Sequence, residues 1–302
     1  MMVHILIINF NNLQYTINCL KSIQSSTYKE WQIHLLDNNS QEPELREIKN
    51  QFKDSRIYYY QSSKNLGFAG GNNFLLESIL PHSKPTDLVL FLNNDTTIDK
   101  NLLKIFKSAS NEYPILAART MKMDDHLQID NLGITISKSF LARNRKTEKE
   151  EFFGPCGCCA AFTAKSLTQI KEQTLDYFDS DYFCYGEDTD LAWRAKLIGL
   201  SSIYLPDALC YHKGGATSGQ HFNKFVMYHT LRNNLYNMTK NATKKQLLLQ
   251  LPHIIIFNLA LIFRYLPTNK FPTLLNVYKD YFKHLKTLIK KRKVIQKTAC
   301  TY

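Results

Sequence analysis

The stretch 87-DLVLFLNNDTTID-99 is an apolar run closed by two asparagines and a carboxylate. It reads as a strand that delivers one acid, Asp95, to the edge of a sheet before a helical pattern resumes. The same grammar recurs on the amino-terminal side. The run 4-HILIINF-10 precedes a helical pattern through Leu20 and Ile23, 31-WQIHLLDNNS-40 ends in polar residues, and 57-IYYYQSSKNLGFAGGNNFLLESIL-80 passes from strand through glycines to helix. Alternating β and α units predict a mainly parallel sheet. Polar clusters at the strands' carboxyl ends are where such sheets bind ligands.

The chain has 302 residues, 44% of them hydrophobic and 12% aromatic, which indicates a packed core and excludes disorder. Its net charge of +12 is uneven: from Phe222 onward there are 15 lysines and arginines against one acid, Asp280. That asymmetry points to an appended surface for phosphate-rich partners. The opening MMVHILIINF lacks a basic leader region, so the main domain is expected to remain in the cytosol. Seven cysteines, an odd number, fit a reducing compartment. The run 156-CGCC-159 lacks the paired C-x-x-C knuckles of structural zinc and reads as small thiols near a pocket.

Each polar cluster has a chemistry open to it and a plainer alternative. Asp37 can accept a hydrogen bond from a base imide or a ribose hydroxyl, or cap the following helix. Gly67, Gly70 and Gly71 permit close backbone approach to a ligand, with Asn72 and Asn73 at an expected helix start. Asp95 suits a hard cation bridging to a diphosphate, or closes an Asx turn. In 182-YFCYGEDTDLAWRAKLIG-199, Glu187, Asp188 and Asp190 crowd the start of a helix. Neighbouring carboxylates disfavour simultaneous ionisation, so crowding is expected to raise the pKa of at least one of them toward that of a base. Asp190, four residues before Arg194, is expected to form a structural pair.

Taken in order, LLDNNS, NLGFAGGNN, FLNNDT, FDSDYFCYGEDTDLAWRAKLIG and YHKGGATS resemble the inverting nucleotide-sugar glycosyltransferases of family 2, in the rhamnosyltransferase-like branch. The resemblance runs from Val3 to about Tyr236. It implies a GT-A fold: a Rossmann-like mixed sheet between helices, with a nucleotide-sugar half near 1–100 and a catalytic, acceptor-binding half near 101–236. It further implies donor contacts from Asn9, Asp37, Asn39, Asn65, Gly67, Asn73, Asn93 and Lys213. Asp95 and His212 would hold Mn²⁺ or Mg²⁺, Asp188 would be the base, and Glu187 its orienting neighbour or an acceptor ligand. Many relatives carry a second carboxylate in the metal motif where this chain has Asn93. The implied donor is dTDP-rhamnose or a UDP-sugar. A nucleotidylyltransferase would need a glycine-rich cationic first loop, which 8-INFNNLQY-15 is not. A processive synthase would need several long apolar spans. A noncatalytic nucleic-acid binder would carry a recognisable binding motif, and none is present, so no nucleic-acid partner is expected.

Residues 237–302 read as a basic helical extension. The uncharged stretch 246-QLLLQLPHIIIFNLALIF-263 reaches the length of a membrane span, but Gln250, Pro252, His253 and Asn258 interrupt it. Lys279, Lys283, Lys286, Lys290 and Lys293 share one helical face beside Tyr278, Tyr281, Phe282, Leu285 and Ile289. That pattern predicts a helix lying on an anionic membrane. The protein is then peripheral at the cytoplasmic face, with a saccharide or polyprenyl-linked saccharide as acceptor. The alternative is packing on the catalytic domain or on the C-terminal helices of a homodimer.

Overall fold

The computed structural model describes residues 1–215, 219 and 222–298. The elements in chain order are β1 (Val3–Asn9), α1 (Leu13–Gln24), β2 (Trp31–Asp37), α2 (Glu44–Gln51), β3 (Ile57–Gln61), α3 (Gly67–Ile79), β4 (Leu88–Leu92), β5 (Thr96–Ile98), α4 (Leu102–Ala109), β6 (Ile115–Lys122), β7 (Ile129–Asn131), β8 (Ile134–Ile136), β9 (Ala142–Asn144), β10 (Cys159–Thr163), α5 (Ala164–Gln173), α6 (Glu187–Leu197), β11 (Ser202–His212), α7 (Lys224–Asn241), α8 (Lys244–Tyr265) and α9 (Phe271–Ile295).

β1, β2, β3 and β4 are parallel, with Val3 opposite Trp31 and Leu88, and Asn9 opposite Asp37. The sheet order is β3-β2-β1-β4-β10-β6-β11-β5, with β7 on β6 and β8-β9 as a separate hairpin. β10 runs antiparallel between β4 and β6, and β5 antiparallel to β11, so the sheet is mixed. Because side chains alternate along a strand, β1 feeds two cores. Val3, Ile5 and Ile7 pack with Leu20 of α1 and Phe106 of α4, while Leu6 packs with Leu75 of α3, Leu167 of α5 and Leu191 of α6. Helices thus cover both faces, which is why β4 is apolar throughout. The arrangement is a GT-A fold.

The carboxyl-terminal helices are tied to this sandwich. α9 runs along α7 through Tyr236 Oη to Asp280 (3.0 Å), Thr239 to Tyr281 (2.9 Å) and Arg292 to the Thr239 carbonyl (2.8 Å). Leu288 of α9 enters the α3/α6 core. The boundary expected at 236 falls inside the continuous helix α7. Lys240, read from sequence as part of a basic surface, is fully buried. It pairs with Asp179 and with Asp190 (2.9 Å), which also holds Arg194 (2.8 Å). Asp190 therefore has the structural role expected of it, with a wider set of partners. Tyr278 and Tyr281 turn inward, whereas Phe282 and Ile289 stay exposed.

Candidate active site

The ends of β4 and β11 and the start of α6 converge on a cavity of about 450 Å³, within the roughly 300–1,000 Å³ typical of small-molecule sites. Asn65, Gly67, Asn93, Asp95, Glu187, Asp188 and His212 line it. His212 Nε2 lies 3.2 Å from Asp95 Oδ1 and its Nδ1 lies 2.9 Å from Asp130 Oδ2. Burial depresses the imidazole, but Cys158, Asp130 and Asp95 outweigh it and lift His212 well above its ordinary pKa. Adjacent ligand atoms of an octahedral cation bonded at about 2.1 Å sit roughly 3 Å apart, so Asp95 and His212 fit one Mn²⁺ or Mg²⁺. Asp130 orients the ring from its other nitrogen, as carboxylates do behind metal-bound histidines. Cys158 Sγ also lies within ligand distance range of Asp130 and His212, all within 4.8 Å of one another.

The second part of the site is the amino end of α6. Tyr185 (φ 66°) and Gly186 (φ 87°) make a left-handed turn into the helix. Two asparagines one turn apart on α7 clamp it: Asn233 donates to the carbonyls of Cys184 (2.9 Å) and Tyr185 (2.5 Å), and Asn237 to that of Gly186 (2.8 Å). The Asp188 carboxylate accepts from the Gly157 amide (2.9 Å) and from its neighbour Thr189's amide (2.6 Å). These bonds oppose a larger rise from burial, and the Asp188 pKa stands above its ordinary value. Glu187 is pushed up to about 8, first by burial and then by Asp188. Its Oε2 is buried with no hydrogen-bond partner among the described residues. The two carboxyls differ in surroundings: Glu187, at about 8, holds its proton near pH 7, whereas the Gly157 and Thr189 amides favour the ionised form of Asp188.

Five residues expected at the donor site lie off the cavity wall. Asn9 is fully buried, donating to Asp37, Ser40 and Glu44 and accepting from Thr16. Asp37 is turned onto Asn9 and the Ser40 amide (3.3 Å), because Asn9 and Asp37 face each other across paired strands. Asn39 points outward with a left-handed backbone (φ 70°), and its neighbour Asn38 lines the cavity instead. Asn73 is not at a helix start, since α3 begins at Gly67; both ends of its amide bind the Phe178 backbone (2.7 and 2.9 Å). Lys213 pairs with Asp124 (2.5 Å). Gly67 does line the cavity, but its lack of a side chain serves packing, since a Cβ there would meet the Phe183 carbonyl at 2.3 Å. That same carbonyl takes the amide of Phe68 (2.8 Å). Residues 216–218 of the YHKGGATS signature lie outside the described residues.

Sequence reasoning missed Asp130, Asn233 and Asn237, while Cys156 and Cys158 lie at the cavity as thiols near a pocket. The asparagines carried a signal, two at a helical spacing in LRNNLYNM. Asp130 carried none, because only the pairing of β7 with β6 brings it to His212.

Fold and site define a nucleotide-sugar transferase of the GT-A class. Residues 4–171 match the family model Glycosyl transferase family 2, and the chain belongs to that family. No curated protein matches it in sequence. Among solved structures it is similar to S. aureus TarS 1-349 in complex with UDP-GlcNAc (14% identity, TM-score 0.62, covering 99% of this chain and 91% of that one). It is also similar to the mannosyltransferase PcManGT from Pyrobaculum calidifontis in complex with GDP-Man and Mn²⁺ (14%, 0.58, 98% and 85%). A third, GalNAc-T7 with UDP, GalNAc and Mn²⁺, is 12% identical with a TM-score of 0.62 over 79% of this chain, which spans about half, 48%, of that one. At these identities the likeness establishes the fold.

Proposed function

We propose that this protein is an inverting, metal-assisted glycosyltransferase. It moves a sugar from a nucleoside-diphosphate donor, dTDP-rhamnose or a UDP-sugar, to a hydroxyl of a saccharide carried on a polyprenyl lipid. The observation that carries the reading is a single cavity lined both by a carboxylate set to ionise, Asp188, and by a cation-binding pair, Asp95 and His212.

Asp188 accepts the acceptor's proton as its hydroxyl attacks the anomeric carbon from the side opposite the leaving diphosphate, and the anomeric configuration inverts. The Gly157 and Thr189 amides hold the carboxylate's orientation without occupying all its lone pairs. Asp95 and His212 would hold the divalent cation, which supplies neutralisation of the charge on the departing diphosphate. Glu187, neutral and with a free oxygen in the cavity wall, donates a hydrogen bond to a sugar hydroxyl. Asp37 is engaged within the protein, so support for a thymine or uracil donor comes from the sequence resemblance.

The test is release of nucleoside diphosphate from a panel of nucleotide sugars with and without Mn²⁺, followed by NMR of the product's anomeric configuration. Metal-stimulated release and an inverted product are expected. A retained configuration overturns the single-displacement mechanism, and no release from any donor overturns the transferase reading.

A further inference from the structure

α8 has 22 residues, and its most apolar window of 18 has a mean hydropathy of 1.8, with none of it buried inside the protein. Its two sides differ in what they meet. Leu247, Ile254, Phe257, Leu261 and Ile262 rest against clusters built from α7, α9 and neighbouring segments. The other side presents Leu248, Leu249, Ile255, Ile256, Leu259 and Phe263, from 48% to 74% exposed, with no charge among them. Contiguous leucine, isoleucine and phenylalanine side chains over about four turns of helix face water and mark an interaction site.

A span across a bilayer does not fit the packing. α8 is joined sideways to α9, where Tyr278 donates to Asn258 (2.9 Å), and Pro252 interrupts its ladder. Crossing would carry the packed α7 and α9 flank, with its buried ion pairs, into hydrocarbon. A second copy of the chain fits poorly too. Lys244 and Lys245 flank the face at one end and Arg264 at the other, and the neighbouring exposed stripe of α9 interleaves Leu275, Phe282 and Ile289 with Lys279, Lys286 and Lys293. Leu275 and Phe282 sit three and four residues either side of Tyr278, so this stripe flanks the line where α9 meets α8. The one acid in the region, Asp280, is engaged by Tyr236 (3.0 Å) and Arg232 (3.6 Å). Two copies related by a twofold axis would bring these uncompensated cations together. Anionic headgroups around an apolar layer match both the charge and the apolar face.

We infer that α8 lies in the plane of an anionic lipid surface, its exposed face sunk to the acyl boundary, with the lysines of α9 reaching headgroups beside it. The sequence pattern read 246–263 as an interrupted span and the lysine face of 279–293 as the interfacial helix; the exposed apolar face of α8 adds a second, in-plane contact beside those lysines. The inference does not depend on the reaction assigned above.

The test is co-sedimentation of the full chain with vesicles of phosphatidylcholine alone or with phosphatidylglycerol, at low and high salt. Two variants accompany it: Leu249→Gln/Ile256→Gln/Phe263→Gln on α8, and Lys283→Gln/Lys286→Gln/Lys290→Gln on α9. All six positions are exposed, and unchanged melting and circular dichroism verify folding. The wild type should pellet with anionic vesicles and be released by salt, and each triple variant should bind at least ~10-fold more weakly. Equal, salt-resistant binding to neutral vesicles overturns the in-plane arrangement in favour of insertion. Binding to neither vesicle overturns the inference; a wild-type dimer that the α8 variant converts to monomer assigns the face to a second copy.

Discussion

Replacing Glu187 with glutamine removes a buried carboxyl whose folded pKa is raised from 4.5 to about 8 by burial and by Asp188. The sign follows from proton counting. Below pH 4.5 both states hold the proton, and the group's contribution to stability is fully present. Between 4.5 and about 8 the folded chain keeps a proton that the unfolded chain has released, so stability falls by about 1.4 kcal/mol per pH unit. Above about 8 the contribution is lost and the slope vanishes. From pH 5 to pH 8 the wild type should therefore lose on the order of 4 kcal/mol relative to Glu187→Gln, three units at that slope. Asp188 and the remaining groups titrate in both proteins and largely cancel from the difference. Urea unfolding of the two proteins at pH 5, 6, 7 and 8 reads it directly. Curves that stay parallel across the range would refute the claim that Glu187 is neutral in the folded site, and with it the division of labour between the two carboxyls.

Asp95→Ala should abolish metal-dependent binding of nucleoside diphosphate in calorimetry with and without Mn²⁺; unchanged affinity would reduce Asp95 to a turn residue. Asp130→Asn, which leaves His212 Nδ1 without its carboxylate, should weaken Mn²⁺ binding by roughly 10–100-fold, measured by the same titration. Asn237→Ala frees the Gly186 turn, so transfer should slow with donor affinity kept, and a change in donor affinity alone would exclude a positioning role. Lys240→Met leaves Asp179 and Asp190 buried short of a partner and should cost about 3–5 kcal/mol, seen as a melting temperature lower by on the order of 10 °C.

What the sequence disclosed is what strand ends disclose. Asp95 and His212 end strand-like runs and Asp188 opens a helix, so their convergence follows from two strands of one sheet and a helix packed against it. Polar residues in the same clusters were harder to assign, because a carboxylate or amide can bind a ligand or its own fold. Asp37 and Asn9 bond across adjacent strands, and Asn73 latches a backbone 105 residues away. Local pattern cannot distinguish these uses. Charge misled in the same way at Lys240, whose burial depends on Asp179 and Asp190 arriving from other segments. On α9 the helical spacing of the lysines was legible, but which apolar residues face α7 was decided by tertiary packing.

The central claim is that Asp188 is the group that takes the acceptor's proton. Asp188→Asn preserves the hydrogen-bond acceptor toward Gly157 and removes the base. Donor affinity should stay near that of the wild type, while the single-turnover transfer rate, measured with the identified donor and acceptor, falls by about 10²–10⁴-fold. Transfer at the wild-type rate with folding and donor binding intact would contradict the assignment.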